Sequence, residues 1–248
     1  MFTDTHCHLY KEYYDDIDSI INDSINNKVN RWINNGCDKK TNEEVIELAR
    51  KYKNMYAAIG IHPEYVDSYT EADIQYIEDN IDNIIAIGEI GLDYHYTKDN
   101  KDEQIILLET QLKLAEKYNI PVIIHSRDAT LDTINILKKY KVVGTIHSFS
   151  GSLEIANEYI KMGYLIGING VVTFKNAKLK EVVEKLPLDS IVFETDSPYL
   201  TPEPYRGRQN NPSYIMDIAT FVASIKKVSV TELASITNDN INRLYKIN

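Results

Sequence analysis

The sequence near the N-terminus reads Asp4-Thr5-His6-Cys7-His8 and follows Phe2 and Thr3. In a β-strand, side chains two residues apart lie on the same face. A strand here would therefore place Asp4, His6 and His8 on one face, with the two imidazoles nearest its carboxyl end. Such a pair can bind a metal ion, but two hydrogen-bonded histidines near a chain end would read the same way. The rest of the chain has to decide between these interpretations.

The composition is typical of a globular protein: 43% of the 248 residues are hydrophobic and 26% are charged. No apolar run approaches the ~20 residues of a membrane-spanning helix, and no basic, apolar leader precedes the first strand. The two cysteines, Cys7 and Cys37, form neither a CxxC pair nor a disulfide framework. We therefore expect a cytoplasmic enzyme that acts as a monomer, without a membrane or an obligate protein partner.

The net charge of −10 argues against a protein that binds nucleic acid through a broad basic surface. It does not exclude a nuclease, because bound divalent cations supply positive charge locally.

Short β-branched segments alternate with longer amphipathic segments along the whole chain. The predicted strands are 2–6, 29–33, 56–61, 84–89, 122–125, 143–147, 165–168 and 191–194. The predicted helices are 13–27, 42–53, 70–81, 102–119, 129–140, 152–162, 177–186, 212–227 and 230–246. The second strand is expected to be cut short by Asn34, Asn35 and Gly36.

Eight strand–helix units in about 250 residues predict an α/β protein with the (β/α)₈ TIM-barrel fold. The functional sites of such barrels lie where the strands end. A doubly wound open sheet is the alternative, but no Gly-rich phosphate turn follows the first strand. Because no linker or repeat divides the chain, we expect a single catalytic domain over residues 1–248.

Histidines and carboxylates concentrate at the predicted strand ends. Five of the six histidines lie at or just past such an end: His6, His8, His62, His125 and His147. Glu89 and Asp196 occupy equivalent positions on the fourth and eighth strands. This concentration favours a shared site over separate buried histidines.

Strand order predicts which of these side chains meet. In a closed barrel the first and last strands are neighbours, so His6 and His8 would face Asp196. The fifth and sixth strands are also neighbours, which brings His125 beside His147.

Glu89, next to His125, could bridge the two groups. We therefore predict two divalent cations, Mg²⁺, Mn²⁺ or Zn²⁺, with imidazole ligation favouring Zn²⁺, Mn²⁺ or Fe²⁺ over Mg²⁺. Such a pair about 4 Å apart supports phosphoryl transfer. Asp196 and Glu89 are the predicted catalytic carboxylates, Asp196 as the general base and Glu89 as the bridge.

Six segments of the chain, in order, resemble the TatD family of metal-dependent deoxyribonucleases. They are Asp4-Thr-His-Cys-His-Leu9, Gly60-Ile-His-Pro63, Gly88-Glu-Ile-Gly-Leu-Asp93, His125-Ser-Arg-Asp-Ala129, His147-Ser-Phe-Ser-Gly151 and Glu194-Thr-Asp-Ser-Pro-Tyr-Leu-Thr-Pro202. The resemblance implies a TIM barrel of the metal-dependent hydrolase type and DNA as the substrate. It also implies hydrolysis of phosphodiester bonds, typically as a 3′–5′ exonuclease. The family's metal positions map onto the six ligands predicted above.

Two carboxylates are candidates for supporting the ligands. Asp4 and Glu194 lie one inward position deeper than His6 and Asp196, on adjacent strands. They are expected to hydrogen-bond metal-bound histidines, or else to satisfy other polar groups in the barrel.

The substrate contacts are expected in the βα loops. Arg127 and Arg206 are the predicted phosphate contacts, with Arg208 a weaker candidate, because a guanidinium donates two hydrogen bonds to phosphate oxygens. The family resemblance implies a substrate contact for His62. Four loop tyrosines are candidates for base stacking or for packing: Tyr94, Tyr96, Tyr199 and Tyr205.

The chain departs from the family pattern at three positions. The family often has histidine where Glu64 stands, usually an acid where Asn211 stands, and an aspartate where Tyr10 stands. We expect these changes to lie in loops around the mouth of the barrel, where they would alter the preferred DNA end or length.

Two other functions use the same fold. An amidohydrolase would act on amides, lactones or small phosphoesters, but many of those enzymes carry a carboxylated lysine on the fourth strand, where this chain has Glu89. A non-catalytic binding protein on a barrel that has lost its activity would lack one or more ligands, and none is missing from the predicted set.

Overall fold

A computed structural model describes residues 1–247 of the chain. Eight parallel strands pair in chain order. They are β1 Phe2–Cys7, β2 Val29–Asn35, β3 Met55–Ile59, β4 Ala86–Asp93, β5 Val122–Arg127, β6 Gly144–Ile146, β7 Leu165–Ile168 and β8 Ile191–Phe193. The α-helices between and after them are α1 Ile17–Asn26, α2 Lys39–Lys51, α3 Glu71–Asp79, α4 Lys101–Tyr118, α5 Thr130–Leu137, α6 Leu153–Lys161, α7 Leu179–Lys185, α8 Ile215–Lys226 and α9 Val230–Tyr245.

The barrel closes where the first strand meets the segment after the last one. Main-chain N–H groups of Asp196 and His8 donate to the oxygens of His6 and Ser197, at 2.9 and 2.8 Å, and Cys7 pairs with Ser197 in parallel. The predicted TIM barrel is therefore confirmed, and the open-sheet alternative is wrong.

The second strand is longer than predicted because a buried asparagine is fully satisfied inside it. The Asn34 side chain accepts a hydrogen bond from the Leu9 N–H at 2.8 Å and donates to the Leu9 oxygen at 3.2 Å. A buried amide with both groups paired does not disfavour a strand. The strand consequently continues to Asn35 instead of stopping at residue 33.

The fourth strand also extends beyond its predicted end at Glu89. Gly91, with φ +156°, lies so close to the main chain of His125 that a Cβ at this position would clash. This close approach lets the β4–β5 pairing continue to Asp93, which pairs with Arg127. Glu89 therefore lies inside β4, with four more strand residues after it.

The helix boundaries differ from prediction by a few residues, because capping hydrogen bonds determine where a helix begins. α2 begins at Lys39 and not at residue 42, because the Asp38 side chain accepts a hydrogen bond from Thr41 N at 2.9 Å. The predicted helix 212–227 divides into a 3₁₀ turn, Pro212–Tyr214, and α8.

The floor of the barrel is apolar. Six strands contribute one buried side chain each to it: Ile33, Ala58, Ala86, Ile123, Leu165 and Val192. Tyr245 at the end of α9 packs against this layer, and its hydroxyl lies 2.7 Å from that of Thr145. The polar residues at the carboxyl ends of the strands therefore lie over a floor that excludes water. Within residues 1–247, no helix is both long and apolar enough to span a membrane.

Candidate metal centre

The polar side chains at the mouth of the barrel converge on Glu89, which is almost fully buried. Its Oε2 lies 3.2 Å from His6 Nε2 and 3.6 Å from His8 Nε2. Its Oε1 lies 2.9 Å from His125 Nδ1 and 3.7 Å from His147 Nε2. The two oxygens of this carboxylate thus face different sets of histidines: Oε2 faces His6 and His8, and Oε1 faces His125, His147 and also His62, at 3.7 Å.

Asp196 completes the first group from the other side of the barrel seam. Its Oδ1 lies 3.8 Å from His6 Nε2 and 3.5 Å from His8 Nε2. The pKa of Asp196 is lowered: burial would raise it, but the His147, His8 and His6 imidazoles outweigh that effect. Strand order therefore placed His6, His8 and Asp196 together as predicted.

The first group fits a divalent cation. His6 Nε2 and His8 Nε2 are 3.1 Å apart, and the four distances from these nitrogens to Glu89 Oε2 and Asp196 Oδ1 are 3.2–3.8 Å. Donors bound at 2.0–2.2 Å around a tetrahedral zinc ion are about 3.3–3.6 Å apart. Three overlapping groups have donor atoms that all lie within 4.8 Å of one another: His6, His8 and Glu89; His6, His147 and Asp196; and His62, Glu89 and His125.

His125 is held between two carboxylates. One ring nitrogen faces Glu89, and Nε2 lies 3.0 Å from Asp93 Oδ2. Burial would lower the pKa of His125, but the hydrogen bonds with Asp93 and Glu89 outweigh it and raise the pKa to about 10. Without a cation the ring is therefore protonated at neutral pH, and a cation has to displace that proton.

His62 lies near His125 and Glu89 but directs an N–H group towards them. Its Nε2 is 3.7 Å from Glu89 Oε1, while its Nδ1 accepts a hydrogen bond from the main-chain N–H of Glu64 at 3.2 Å. Burial lowers the pKa of His62 to about 3, so the ring is neutral. In a neutral imidazole whose Nδ1 accepts, Nε2 carries the hydrogen. His62 is thus arranged as a hydrogen-bond donor into the site, which differs from the arrangement of a ligand.

His147 lies closer to the first group than the strand order alone suggested. Its ring stacks on that of His6 with centroids 3.5 Å apart, whereas the His125 ring is 6.4 Å away. The Glu194 carboxylate, 3.0 Å from His147 Nδ1 although off the line of a good hydrogen bond, holds the ring on this side. Its Nε2 therefore lies between Glu89 and Asp196, at 3.7 and 3.5 Å.

The two carboxylates expected behind the ligands have different roles. Glu194 is fully buried and contacts the His147 imidazole, as predicted. Asp4 contacts no imidazole: it accepts hydrogen bonds from the main-chain N–H groups of His6 and Thr195, at 3.2 and 3.0 Å, and lies 2.5 Å from Thr195 Oγ1. The predicted support of a histidine ring by Asp4 is therefore wrong, and Asp4 instead ties β1 to the segment after β8.

Two residues near the ligands were not anticipated. Asp93 lies four positions after Glu89 on the same strand face, which is the signal that could have found it, since predicting a longer β4 would have pointed it at His125. Tyr10 lies in the loop after β1, as predicted, but its contact with a ligand was not anticipated: the side chain is buried and its hydroxyl lies 2.8 Å from His8 Nδ1.

The other two departures from the family pattern lie further from the ligands. Asn211 caps the 3₁₀ turn at Pro212–Tyr214, because its Oδ1 accepts a hydrogen bond from Ser213 N at 2.9 Å. The Glu64 side chain is half exposed, 3.6 Å from His62 Nδ1.

The predicted phosphate contacts are exposed and lie against aromatic rings. Arg127 is the last residue of β5, and Arg206 and Arg208 lie in the loop after β8. The Arg127 guanidinium is 5.3 Å from the Tyr96 ring centroid, and that of Arg206 is 3.9 Å from the Phe174 centroid. Arg208 lies 5.8 Å from the Tyr205 centroid. No acidic side chain among residues 1–247 forms an ion pair with any of the three.

The fold and the site together define the class of protein. A closed barrel of parallel strands, with imidazoles and carboxylates converging at their carboxyl ends, is typical of TIM-barrel metal-dependent hydrolases.

The comparisons with known proteins agree. A model of the family described as TatD related DNase matches residues 3–246, so the chain belongs to this family. It is 44% identical over 255 residues to the uncharacterized metal-dependent hydrolase YabD of Bacillus subtilis, covering all of both chains. It is 34% identical to the uncharacterized metal-dependent hydrolase YcfH of Escherichia coli, covering 98% of this chain and 95% of that one.

Among solved structures, the TatD homologue YJJV of Escherichia coli superposes with a TM-score of 0.94 at 29% identity, covering 100% of this chain and 98% of the other. The protein is therefore a metal-dependent hydrolase of the TatD family.

Proposed function

We propose that this protein hydrolyses phosphodiester bonds in DNA, as a 3′–5′ exonuclease that uses two divalent cations. The observation that carries the proposal is the orientation of Glu89, whose two oxygens face His6 and His8 on one side and His125 and His147 on the other. A carboxylate in that arrangement is suited to bridging two cations.

The residues that would hold the cations follow from this division. His6, His8 and Asp196 would hold the first cation, and His125 and His147 the second, with Glu89 shared. His147 stacks on His6, but its Nε2 lies 3.7 Å from the Glu89 oxygen that faces His125, so it would have to bind at the boundary between the two cations. Held there, two cations would supply positive charge to the attacking and leaving oxygens and would lower the pKa of a bound water towards neutrality.

Asp196 is the proposed general base. Its lowered pKa keeps the carboxylate ionised at neutral pH, ready to accept the proton of the attacking water. Glu194 fixes the orientation of His147 from the opposite ring nitrogen.

His62, Arg127 and Arg206 would hold the substrate. The Nε2–H of the neutral His62 ring can donate to a non-bridging phosphate oxygen without adding a charge to the site. Arg127 and Arg206 would bind the neighbouring phosphates, supplying cationic groups near the metal centre of a chain whose net charge is −10. We also propose that the enzyme is a monomer built as a single catalytic domain.

The test is hydrolysis of single- and double-stranded oligonucleotides by the purified protein after chelator treatment and addition of Mg²⁺, Mn²⁺ or Zn²⁺. A 3′–5′ exonuclease releases a 3′ label at once as a mononucleotide and shortens a 5′-labelled strand one nucleotide at a time. Glu89→Gln, which keeps the size of the side chain but removes its charge, should lose this activity. Activity without metal, or in Glu89→Gln, would contradict the bridging arrangement. Turnover of lactones or small phosphoesters with no DNA cleavage would support an amidohydrolase-like enzyme instead.

A further inference from the structure

The aromatic residues of the βα loops differ in how much of each ring is available to a ligand. Tyr94 is buried, and its hydroxyl bonds to Asp132 at 3.1 Å. Tyr205 stacks on Tyr214 with centroids 4.8 Å apart. Tyr199, by contrast, is 50% exposed. Of the predicted stacking candidates, Tyr94 and Tyr205 therefore already have partners within the protein.

Tyr199 is exposed but held in one orientation. Its hydroxyl lies 2.8 Å from the hydroxyl of Tyr13, and the two rings meet edge to face with centroids 5.9 Å apart. Tyr13 in turn stacks on the buried Tyr10, at 5.4 Å between centroids and 30° between planes. Because Tyr10 contacts His8, a continuous row of rings leads from the candidate metal centre to solvent.

This row joins the two ends of the barrel. Tyr13 lies in the loop after β1, and Tyr199 in the loop after β8, 186 residues further along the chain. The hydrogen bond between them links the two segments that meet at the seam of the barrel.

The main chain of Tyr199 lies close to that of the candidate general base. The main-chain N–H of Tyr199 donates to the oxygen of Asp196 at 2.8 Å, closing a four-residue turn. The two Cα atoms of such a turn are within about 7 Å of each other. A half-exposed tyrosine therefore follows the candidate general base by one turn of the chain, at the same end of the barrel as the proposed phosphate site.

We propose that Tyr199, held by Tyr13, is a stacking platform for the nucleobase that adjoins the reacting phosphate. This inference rests on the proposed function, because it takes a nucleic acid as the substrate. Base–aromatic stacking suits an exonuclease, since every base presents a π-face and the contact tolerates any sequence. The link to Tyr13 fixes the ring beforehand, so that less conformational freedom is lost when a base binds.

The experiment compares a base with its absence at one position. The protein is reconstituted with Mn²⁺ and titrated with a single-stranded oligonucleotide that carries a 3′-terminal 2-aminopurine and a phosphorothioate at the last linkage, which slows cleavage. A second oligonucleotide is identical but has an abasic terminal residue. We expect quenching of the 2-aminopurine fluorescence, and about tenfold weaker binding of the abasic oligonucleotide.

The variants separate the ring from its hydroxyl. Tyr199→Leu should abolish both the quenching and the preference for the base. Tyr199→Phe should retain the quenching with a few-fold weaker binding, since the ring stays but its link to Tyr13 is lost. Tyr118→Leu, which removes a partly exposed tyrosine from the end of α4, is the matched control and should behave as the wild type.

The outcomes distinguish this inference from the proposed function. If the wild-type protein hydrolyses DNA but binds both oligonucleotides equally, or if Tyr199→Leu still prefers the base, the stacking platform is wrong and the nuclease proposal survives. If the wild-type protein neither binds nor hydrolyses DNA, both fail together.

Discussion

The hydroxyl of Tyr10 lies 2.8 Å from Nδ1 of His8, and both groups contact the main-chain oxygen of Asn35. With Nδ1 donating in this direction, the Nε2 lone pair of His8 points into the metal centre. Burial raises the pKa of Tyr10 well above its ordinary value, so the phenol stays neutral. A neutral hydroxyl therefore occupies the position where the family often has an aspartate.

Tyr10→Phe should weaken cation binding. The ring packing is kept while a hydrogen-bonding partner of His8 is lost, and loss of such a partner typically lowers metal affinity 10–100-fold. We expect about a tenfold loss of Zn²⁺ affinity, measured by competition with a chromophoric chelator. Tyr14→Phe is the control, because it removes a buried hydroxyl that donates to Asn210 O at 2.6 Å. Equal affinities of Tyr10→Phe and the wild type would show that the hydroxyl does not support His8.

Glu194→Gln should lower both Zn²⁺ affinity and the rate of hydrolysis, each about tenfold or more. The substitution keeps the shape of the side chain but removes the negative charge 3.0 Å from His147 Nδ1. Glu203→Gln, at an exposed position in the loop after β8, should change neither quantity. The prediction is contradicted if metal titration and steady-state kinetics of Glu194→Gln match those of the wild type.

Gly167→Ala should reproduce much of the effect of Glu194→Gln although no polar residue is substituted. A Cβ at position 167 would clash first with the carboxylate of Glu194, which has to move away from His147. The Glu194 carboxylate can move more readily than the strand, so the overpacking should cost the fold only about 1–3 kcal/mol. We therefore expect a clear loss of Zn²⁺ affinity together with a small loss of thermal stability. Metal titration together with thermal unfolding checks this. A destabilised protein with unchanged metal affinity would be the contrary result.

The sequence predicted the six candidate ligands because two simple rules decide their positions. Period-two alternation placed His6 and His8 on one face, and the closed strand order brought Asp196 to them. Both rules act through the main chain, so they do not depend on how individual side chains pack.

The sequence did not predict features that depend on side-chain hydrogen bonds. Asn34 reads as a strand breaker until its pairing with Leu9 is known. Asp93 was not predicted near the ligands because the predicted β4 ends at Glu89. Asp4 was predicted to contact an imidazole, whereas its carboxylate hydrogen-bonds to Thr195. Periodicity places a residue on a face, but it does not say which neighbour its side chain reaches.

Asp4→Asn should stabilise the metal-free protein at pH 8 relative to the wild type. Burial raises the pKa of Asp4 to about 8, above the ordinary value of about 3.9 in an unfolded chain. The stability that Asp4 contributes is therefore fully present below about pH 4 and is lost as the pH rises through about 8. Asparagine resembles the protonated acid and does not titrate. Thermal unfolding of both proteins between pH 4 and 9 should show the melting temperature of the wild type falling relative to that of Asp4→Asn as the pH rises. A constant difference between the two melting temperatures would rule this out.

Cation binding should release protons and become tighter as the pH rises. Two histidines of the centre have raised pKa values. Hydrogen bonds with Asp93 and Glu89 raise the pKa of His125 to about 10. The negative charges of Glu194, Asp196 and Glu89 raise the pKa of His147 to about 9. In both cases burial opposes the shift and is outweighed.

At pH 7 both rings are protonated in the metal-free protein, and a ligand histidine must be neutral. Affinity should therefore increase about tenfold per pH unit for each proton displaced. Calorimetric titration with Zn²⁺ in buffers of different ionisation enthalpy, at pH 7 and pH 8, measures the protons released. His95→Asn, which removes an exposed histidine outside the centre, should release as many protons as the wild type, whereas His125→Asn should release fewer. A binding enthalpy independent of the buffer would mean that the cation displaces no protons from these histidines, and hence that they do not bind it.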